Sequence, residues 1–141
     1  MTVALWRDEY RTGHDTIDQQ HRDLFAQVNQ IYAMTQAEPQ DNAAIRAQLT
    51  EFAALAIAHF DLEEALMTQY DYPNFEVHFK THRALVNKVQ ALLEKPDRSL
   101  DGLPAEVTQV LADWMVHHIR GEDQQMIRFL QERSTVAVVG G

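Results

Sequence analysis

Apolar residues recur at helical spacing along four stretches of the chain, and polar residues fall on the opposite faces. Spacings of three and four residues bring side chains onto one face of an α-helix. The pattern predicts helices over about residues 18–37, 42–69, 74–94 and 105–131. Breaks separate them at residues 38–42, at the turn 70–74 around Pro73, and in a loop containing Pro96, Gly102 and Pro104. Four long helices with short connections predict an all-α fold, an antiparallel up-down-up-down four-helix bundle.

The two ends of the chain lack this helical period. Residues 1–16 form an irregular N-terminal arm, in which Trp6 and Tyr10 are large enough to anchor the arm on a core. Asp18 is predicted to cap the first helix, because aspartate is a favoured N-cap residue. One domain is therefore expected over residues 1–133, arm included. A C-terminal tail over residues 134–141 is expected to be disordered or to form a short edge.

Composition narrows the class of protein. The chain has 141 residues, of which 45% are hydrophobic, and 12 Lys and Arg against 21 Asp and Glu give a formal net charge of −9. This acidic balance argues against nucleic acid and anionic membrane surfaces as partners. No apolar run is long enough to cross a bilayer, and the N-terminus lacks the pattern of a signal peptide. A soluble, cytoplasmic protein without cysteine chemistry is expected, since the chain has no Cys.

Five of the seven histidines lie on the inward stripes of the predicted helices. They are His21, His59, His78, His82 and His118. The spacing 78–82 lets two imidazoles bind one ion from a single helix face, and Glu63 shares the face of His59 by the same spacing. One inward histidine is usually a hydrogen-bonded core residue, but five in one interior need more polar partners than the apolar stripes offer. The pattern therefore predicts a buried metal site.

The number of ligands favours two ions over one. Five imidazoles with carboxylates exceed what one ion with room for chemistry takes, whereas two ions bridged by carboxylates use them all. Glu63 is the first bridge, from its phase with His59. The second bridge stays open on spacing alone. Glu122 lies four residues after His118 and fits the simple period, while Asp123 lies five residues after it, near the later part of an apolar stripe that drifts.

Four motifs occur in order on the four predicted helices. They are Asp18-x-Gln20-His21, His59-Phe60-x-x-Glu63-Glu64-x-Leu66-Met67, His78-x-x-x-His82 and Trp114-x-x-x-His118-Ile119-x-x-x-Asp123. In these motifs the chain resembles the hemerythrin family, specifically its single-domain bacteriohemerythrins, over about residues 6–130. The resemblance implies Asp123 as the second bridge and leaves Glu64 and Glu122 on the helix surface or behind the ligands. His14 and His117 fall outside the ligand pattern.

The resemblance implies a centre of two non-haem iron ions. One iron takes His78, His82 and His118, the other takes His21 and His59, and Glu63, Asp123 and an oxo or hydroxo oxygen bridge them. The iron with fewer protein ligands keeps an open position for O2. The implied function is reversible O2 binding for carriage, storage, delivery or sensing, without catalytic residues. Expected partners are O2 and an oxygen-consuming protein, and the expected state is a monomer.

An apolar pocket is expected beside the open position. Its predicted lining is Leu24, Phe25, Trp114, Met115 and Ile119, although plain core packing explains these residues equally well. The alternative function is a di-iron oxidase or peroxidase that turns over O2 or peroxide. The histidine-rich ligand set argues against it, as does the lack of an inward tyrosine or a further inward carboxylate pair in the pattern. A zinc site or a purely structural bundle is disfavoured by the number of ligands.

Overall fold

The computed structural model describes residues 5–95 and 105–140, with side chains described for residues 5–95 and 108–132. Within this part of the chain every regular element is helical. In chain order the elements are a 3-10 helix Asp8–Tyr10, α1 Asp15–Thr35, α2 Asn42–Gln69, α3 Phe75–Leu93, α4 Ala105–His118, a π turn Ile119–Asp123 and α5 Gln124–Gly140. The predicted loop with Pro96, Gly102 and Pro104 lies outside the described residues. Among those described, no helix is long and apolar enough to cross a membrane.

Local sequence explains where α2 and α3 begin. Asp41 Oδ1 accepts a hydrogen bond of 3.0 Å from the backbone N–H of Ala44, so α2 begins one residue after this cap, as predicted. Between α2 and α3 the chain turns at Asp71, whose φ of +53° ends the helical course. α3 then begins after Asn74, within one residue of the predicted start.

The start of α1 differs from the prediction. His14, not Asp18, is the N-cap residue, and its Nδ1 accepts a hydrogen bond of 3.2 Å from the N–H of Ile17. Asp18 lies inside the first turn and is only 3% exposed. Its carboxylate accepts hydrogen bonds from Thr12 N (2.9 Å), Thr12 Oγ1 (2.8 Å) and Gly13 N (3.2 Å). Asp18 therefore joins the N-terminal arm to α1 instead of capping the helix.

The fourth helix of the bundle is built from α4, the π turn and α5, which follow one another without a break. It continues to Gly140, beyond the end predicted near Gln131. Residues 134–139 contain neither Pro nor Gly, so no residue there is a strong helix breaker. The helical backbone differs from the disordered or edge-forming tail that the sequence pattern predicts, while the domain boundary at residue 133 stays a prediction.

The helices pack as the four-helix bundle that the pattern predicts. α1 contacts α2 and α4, and α2 contacts α3. The buried apolar residues form two clusters, not one continuous core. The larger cluster includes Leu24, Val28, Ile31, Leu49, Phe52, Phe60, Leu85, Val89, Leu111 and Met115. The smaller cluster comprises Ile17, Met67, Tyr72, Met126, Ile127 and Leu130. On the first, second and fourth helices of the bundle, the residues of the two clusters lie on opposite sides of His21, Glu63 and Asp123, respectively.

We expect the two described glycines outside the tail to respond oppositely to alanine. Gly13 has a φ of +91°, a conformation that costs a residue with a side chain roughly 1–2 kcal/mol. A Cβ added at Gly121 would meet no atom within 4 Å, and its φ is not positive, so alanine there should stabilise by about 0.4–1 kcal/mol. Urea unfolding of Gly13→Ala and Gly121→Ala measures both changes. Equal effects would contradict the backbone assignment.

Candidate metal centre

A layer of five histidines and two carboxylates separates the two apolar clusters. None of these seven side chains is more than 4% exposed. Their potential ligand atoms form two overlapping groups, each with all its atoms within 4.8 Å of one another. One group is Glu63, His78, His82, His118 and Asp123, and the other is His21, His59, Glu63 and Asp123. The two carboxylates belong to both groups. The structure thus brings together all seven residues that the family resemblance implies as metal ligands.

The Nε2 atoms of the five rings surround the two carboxylates. Around Asp123 lie the Nε2 atoms of His78 (2.9 Å), His118 (3.0 Å) and His21 (2.9 Å). Around Glu63 Oε1 lie those of His82 (3.0 Å) and His59 (3.4 Å). Two rings also face each other directly, with His21 Nε2 3.0 Å from His59 Nε2. So many lone-pair atoms in contact need either protons or a cation among them.

The donor set fits a metal ion better than it fits internal hydrogen bonding. Both oxygens of Glu63 and Oδ2 of Asp123 are fully buried, and within the described structure they have no hydrogen bond of acceptable geometry. The short contacts around them are therefore close but poorly aligned. Such an arrangement is expected when ligand atoms are directed at a shared point between them. Imidazole and carboxylate are ligands that suit iron and other first-row metals.

Partners on the outer nitrogens orient two of the rings. His59 Nδ1 lies 2.7 Å from Gln20 Oε1, and His82 Nδ1 lies 3.0 Å from Glu64 Oε2. Both oxygens accept, so each Nδ1 donates its proton and the inner Nε2 keeps a free lone pair. His118 Nδ1 lies 3.4 Å from Glu122 Oε1, in poorer alignment. Glu64 and Glu122 therefore lie behind His82 and His118, two histidines of the layer.

The π turn decides which acid of the fourth helix faces inward. The backbone N–H of Gln124 bonds to the carbonyl of Ile119, five residues earlier, in place of the α-helical partner four residues earlier. The extra residue places Asp123, fully buried, below His118. The side chain of Glu122 is 35% exposed instead. This local change of helix type is the physical reason why the regular helical period, which favours Glu122, does not apply here.

The histidines and carboxylates of the layer shift one another's pKa values. Burial alone would lower the pKa of His118, but Asp123 and its neighbouring acids raise it to about 10. Burial likewise opposes the shift at His78, whose pKa Asp123 and Glu63 raise to about 9. Burial and the charge of Asp123 would raise the pKa of Glu63, but the surrounding histidines lower it to about 2. The two buried acids therefore stay ionised and require positive charge beside them, from imidazolium protons or from a cation.

A small apolar cavity adjoins this layer. Its volume is ≈ 10 Å³, about the space of one water-sized molecule by the same measure. Its lining is His21, Leu24, His59, Phe60, Leu85, Trp114, Met115, His118, Ile119 and Asp123. Four of the five predicted pocket residues are in this lining. Phe25 is not, because its ring packs edge-on against Trp6 and Tyr10.

Two apolar residues of the lining, Phe60 and Leu85, were not predicted as pocket residues from the sequence. Phe60 stacks on His82 with ring centroids 3.9 Å apart, and Leu85 lies on α3 three residues after that histidine. Both could be found from the sequence, because Phe60 neighbours His59 and Leu85 shares the inward face of His82.

One expectation about the surroundings of the layer is wrong. The sequence pattern shows no inward tyrosine, but Tyr72 is only 7% exposed and its ring centroid lies 6.4 Å from that of His78. Tyr72 lies in the turn before α3, where helical periodicity does not predict the direction of a side chain.

The two remaining histidines are outside the layer. His14 caps α1, and His117 is exposed and bonded through Nδ1 to the carbonyl of Asp113.

Comparison with known proteins gives consistent matches. Residues 12–130 match the family model described as the hemerythrin HHE cation binding domain. A protein named bacteriohemerythrin from Stenotrophomonas maltophilia is 31% identical over 88% of this chain and 79% of its own length. Bacteriohemerythrins from Pseudomonas aeruginosa and Campylobacter jejuni are 28% and 22% identical, over 87% and 86% of this chain and 78% and 90% of their own lengths.

We expect Asp123 and Glu122 to differ sharply in their effect on metal binding. Asp123→Asn removes a buried charge shared by both ligand groups, so Fe(II) affinity should fall by more than the ~10–100-fold typical of losing an outer partner. Glu122→Gln should stay within that range, because its side chain only stands behind His118. Metal analysis and chelator competition measure both. A larger loss in Glu122→Gln would show that the inward acid is wrongly assigned.

We also expect that the extra residue of the π turn can be deleted without changing the orientation of Asp123 or of α5. Deleting Gly121 leaves Asp123 four residues after His118, so a regular α-helix would still turn it inward and keep α5 in phase. Metal content and helicity should therefore survive. Deleting Gln125 instead rotates α5 by ~100° and should lower the melting temperature clearly. Equal damage from the two deletions would contradict this account of the π turn.

Proposed function

Since this chain belongs to the hemerythrin family, we propose that it is a non-haem di-iron protein that binds O2 reversibly and is not an enzyme. Its roles would be O2 carriage, storage, delivery or sensing. The proposal uses the seven buried residues of the layer as ligands. His78, His82 and His118 would hold one iron and His21 and His59 would hold the other, with Glu63 and Asp123 shared between the two groups. A pair of Fe(II) ions supplies the two electrons that binding of one O2 draws on.

The observation that carries the proposal is where the apolar cavity lies. It contacts both His21 and His59, the side with fewer protein ligands, and of the three rings assigned to the other iron it contacts only His118. An open coordination position on the side with fewer ligands would therefore face the cavity. Apart from Trp114 and the candidate ligands, the lining consists of Leu24, Phe60, Leu85, Met115 and Ile119, whose side chains form no hydrogen bonds, so this part of the cavity favours a small apolar ligand over water.

The chain's own residues contribute orientation and exclusion of water. Gln20 and Glu64 hold the Nδ1 protons of His59 and His82, which keeps the inner nitrogens available as ligands. Trp114 stacks on His118 with ring centroids 4.7 Å apart and an interplanar angle of 22°, limiting how that ring can turn. A dry, fixed surrounding of this kind hinders the loss of reduced oxygen species to solvent.

The alternative is a di-iron oxidase or peroxidase. Tyr72 is the observation in its favour, because an oxidisable ring stands beside His78. The small cavity argues against it, since a volume of ≈ 10 Å³ leaves no room for an organic substrate next to O2. Reversible binding is therefore the better supported function.

Loading the protein anaerobically with Fe(II) and then cycling O2 tests the proposal. We expect two iron ions per chain and a visible absorption band that appears with O2 and vanishes on its removal, through repeated cycles. Irreversible oxidation with release of hydrogen peroxide would support the oxidase alternative. One iron per chain in the O2-responsive protein would refute the two-iron centre.

Two histidine-to-alanine variants test which histidines the O2-dependent absorption band requires. His21→Ala removes a buried candidate ligand and should abolish the O2-dependent band. His117→Ala changes an exposed histidine on the fourth helix and should leave the band and its reversibility intact. Loss of the band in both variants, or in neither, would count against the ligand assignment.

A further inference from the structure

Gln124 connects the π turn to a distant part of the chain. Its backbone N–H bonds to the carbonyls of Ile119 and Gly121, which closes the π turn. Its side-chain Nε2 donates a hydrogen bond of 2.8 Å to the backbone carbonyl of Glu9, 115 residues earlier. Asp123, the inward acid, directly precedes it. One residue thus closes the turn that buries Asp123 and attaches that turn to the N-terminal arm.

The described part of the N-terminal arm that precedes α1 is itself anchored on the bundle. Tyr10 is 6% exposed, and its ring forms a triangle of edge-on contacts with Trp6 and Phe25, with centroids 5.6–5.8 Å apart. Arg22 lies over the face of Trp6 at 5.0 Å. Aromatic contacts of this geometry add to the stabilisation from burial. The arm is therefore a fixed support at the point where Glu9 meets the fourth helix.

Further bonds hold the arm near its junction with α1. Thr12 and Gly13 donate to the buried carboxylate of Asp18. Gln131 Nε2 donates to the carbonyl of Thr12 at 3.4 Å, a second link between the arm and α5. The ion pair between Arg120 and Glu9 is exposed at 4.0 Å and adds little. The arm is thus bonded to α1 on one side and to α5 on the other.

The π turn needs such support, because a regular α-helix competes with it. π-helical turns are rare, and the α-helical register is the usual state of a helix interior. In that register the residue four after His118 is Glu122, which also carries a carboxylate. Nothing in the type of side chain would then prevent Glu122 from turning toward the layer. The hydrogen bond from Gln124 to the carbonyl of Glu9 is made in the π register and would therefore favour that register.

We propose that the N-terminal arm is a positioning element for the metal centre, with Gln124 as its contact. By holding Gln124 at the carbonyl of Glu9, the arm keeps the turn Ile119–Asp123 in the π register and Asp123 in the layer. Gln124 is not one of the seven candidate ligands, so its effect on the metal centre runs through Asp123, the residue before it in the chain. The effect on metal retention rests on the proposed function, whereas the effect on the π turn does not.

A pair of variants with the same charge change tests the contact. Gln124→Glu keeps the size of the side chain but removes its donor, and Gln125→Glu makes the same change at the next, exposed residue. In metal-free protein, amide hydrogen exchange at residues 119–124 should quicken by roughly two- to tenfold in Gln124→Glu, the range expected for one lost hydrogen bond. Gln125→Glu should match the unaltered chain.

Iron retention gives the second readout. In iron-loaded protein, Gln124→Glu should release iron to a chelator roughly two- to tenfold faster than Gln125→Glu does, with a changed absorption spectrum. Gln124→Lys restores a donor and should recover both exchange and retention. Unchanged exchange in Gln124→Glu, or equal change in both glutamate variants, would overturn the inference. Failure to bind two irons would instead refute the proposed function and leave the exchange result to decide this one.

Discussion

The burial of two carboxylates in the middle of a helical bundle is the constraint on which the rest of this structure depends. Glu63 and Asp123 are both fully buried, and ionised acids in an apolar interior are costly unless positive charge is close. Five imidazoles supply the groups that can carry or bind that charge. Because this layer crosses the bundle, the apolar core is divided into two clusters, and packing on either side must hold the layer in register.

The second helix has the largest part in meeting this constraint. α2 carries His59 and Glu63 one turn apart, so it contributes to both ligand groups. The neighbouring Glu64 points away from the layer's interior and accepts from His82 of α3. Of these two adjacent acids, Glu63 therefore lies inside the layer, whereas Glu64 lies behind the ring of His82. The difference follows from the ~100° rotation between consecutive helical residues.

Most of the fold follows from helical periodicity, and the residues of the candidate site follow from periodicity together with the family resemblance. The range of α2 is predicted correctly because its apolar stripe keeps the helical period from Ile45 to Met67, and the family resemblance is confirmed by the match over residues 12–130. The failures occur where a period of 3.6 does not apply. Asp18 is the wrong cap because the sequence does not reveal that the ring nitrogen of His14 can accept the capping hydrogen bond. Tyr72 lies in a turn, where no helical face is defined.

The choice between Glu122 and Asp123 shows the limit most clearly. The hydrophobic pattern contains only a drift of the apolar stripe, which signals a change of phase but not its place. The π turn adds the one residue that changes the phase. π-helical turns are rare, so the chain here adopts a conformation that helices seldom take. In the unaltered chain, the candidate ligand Asp123 faces the layer only while this turn persists. Metal binding and π-turn formation should therefore stabilise each other, since each requires Asp123 in the layer.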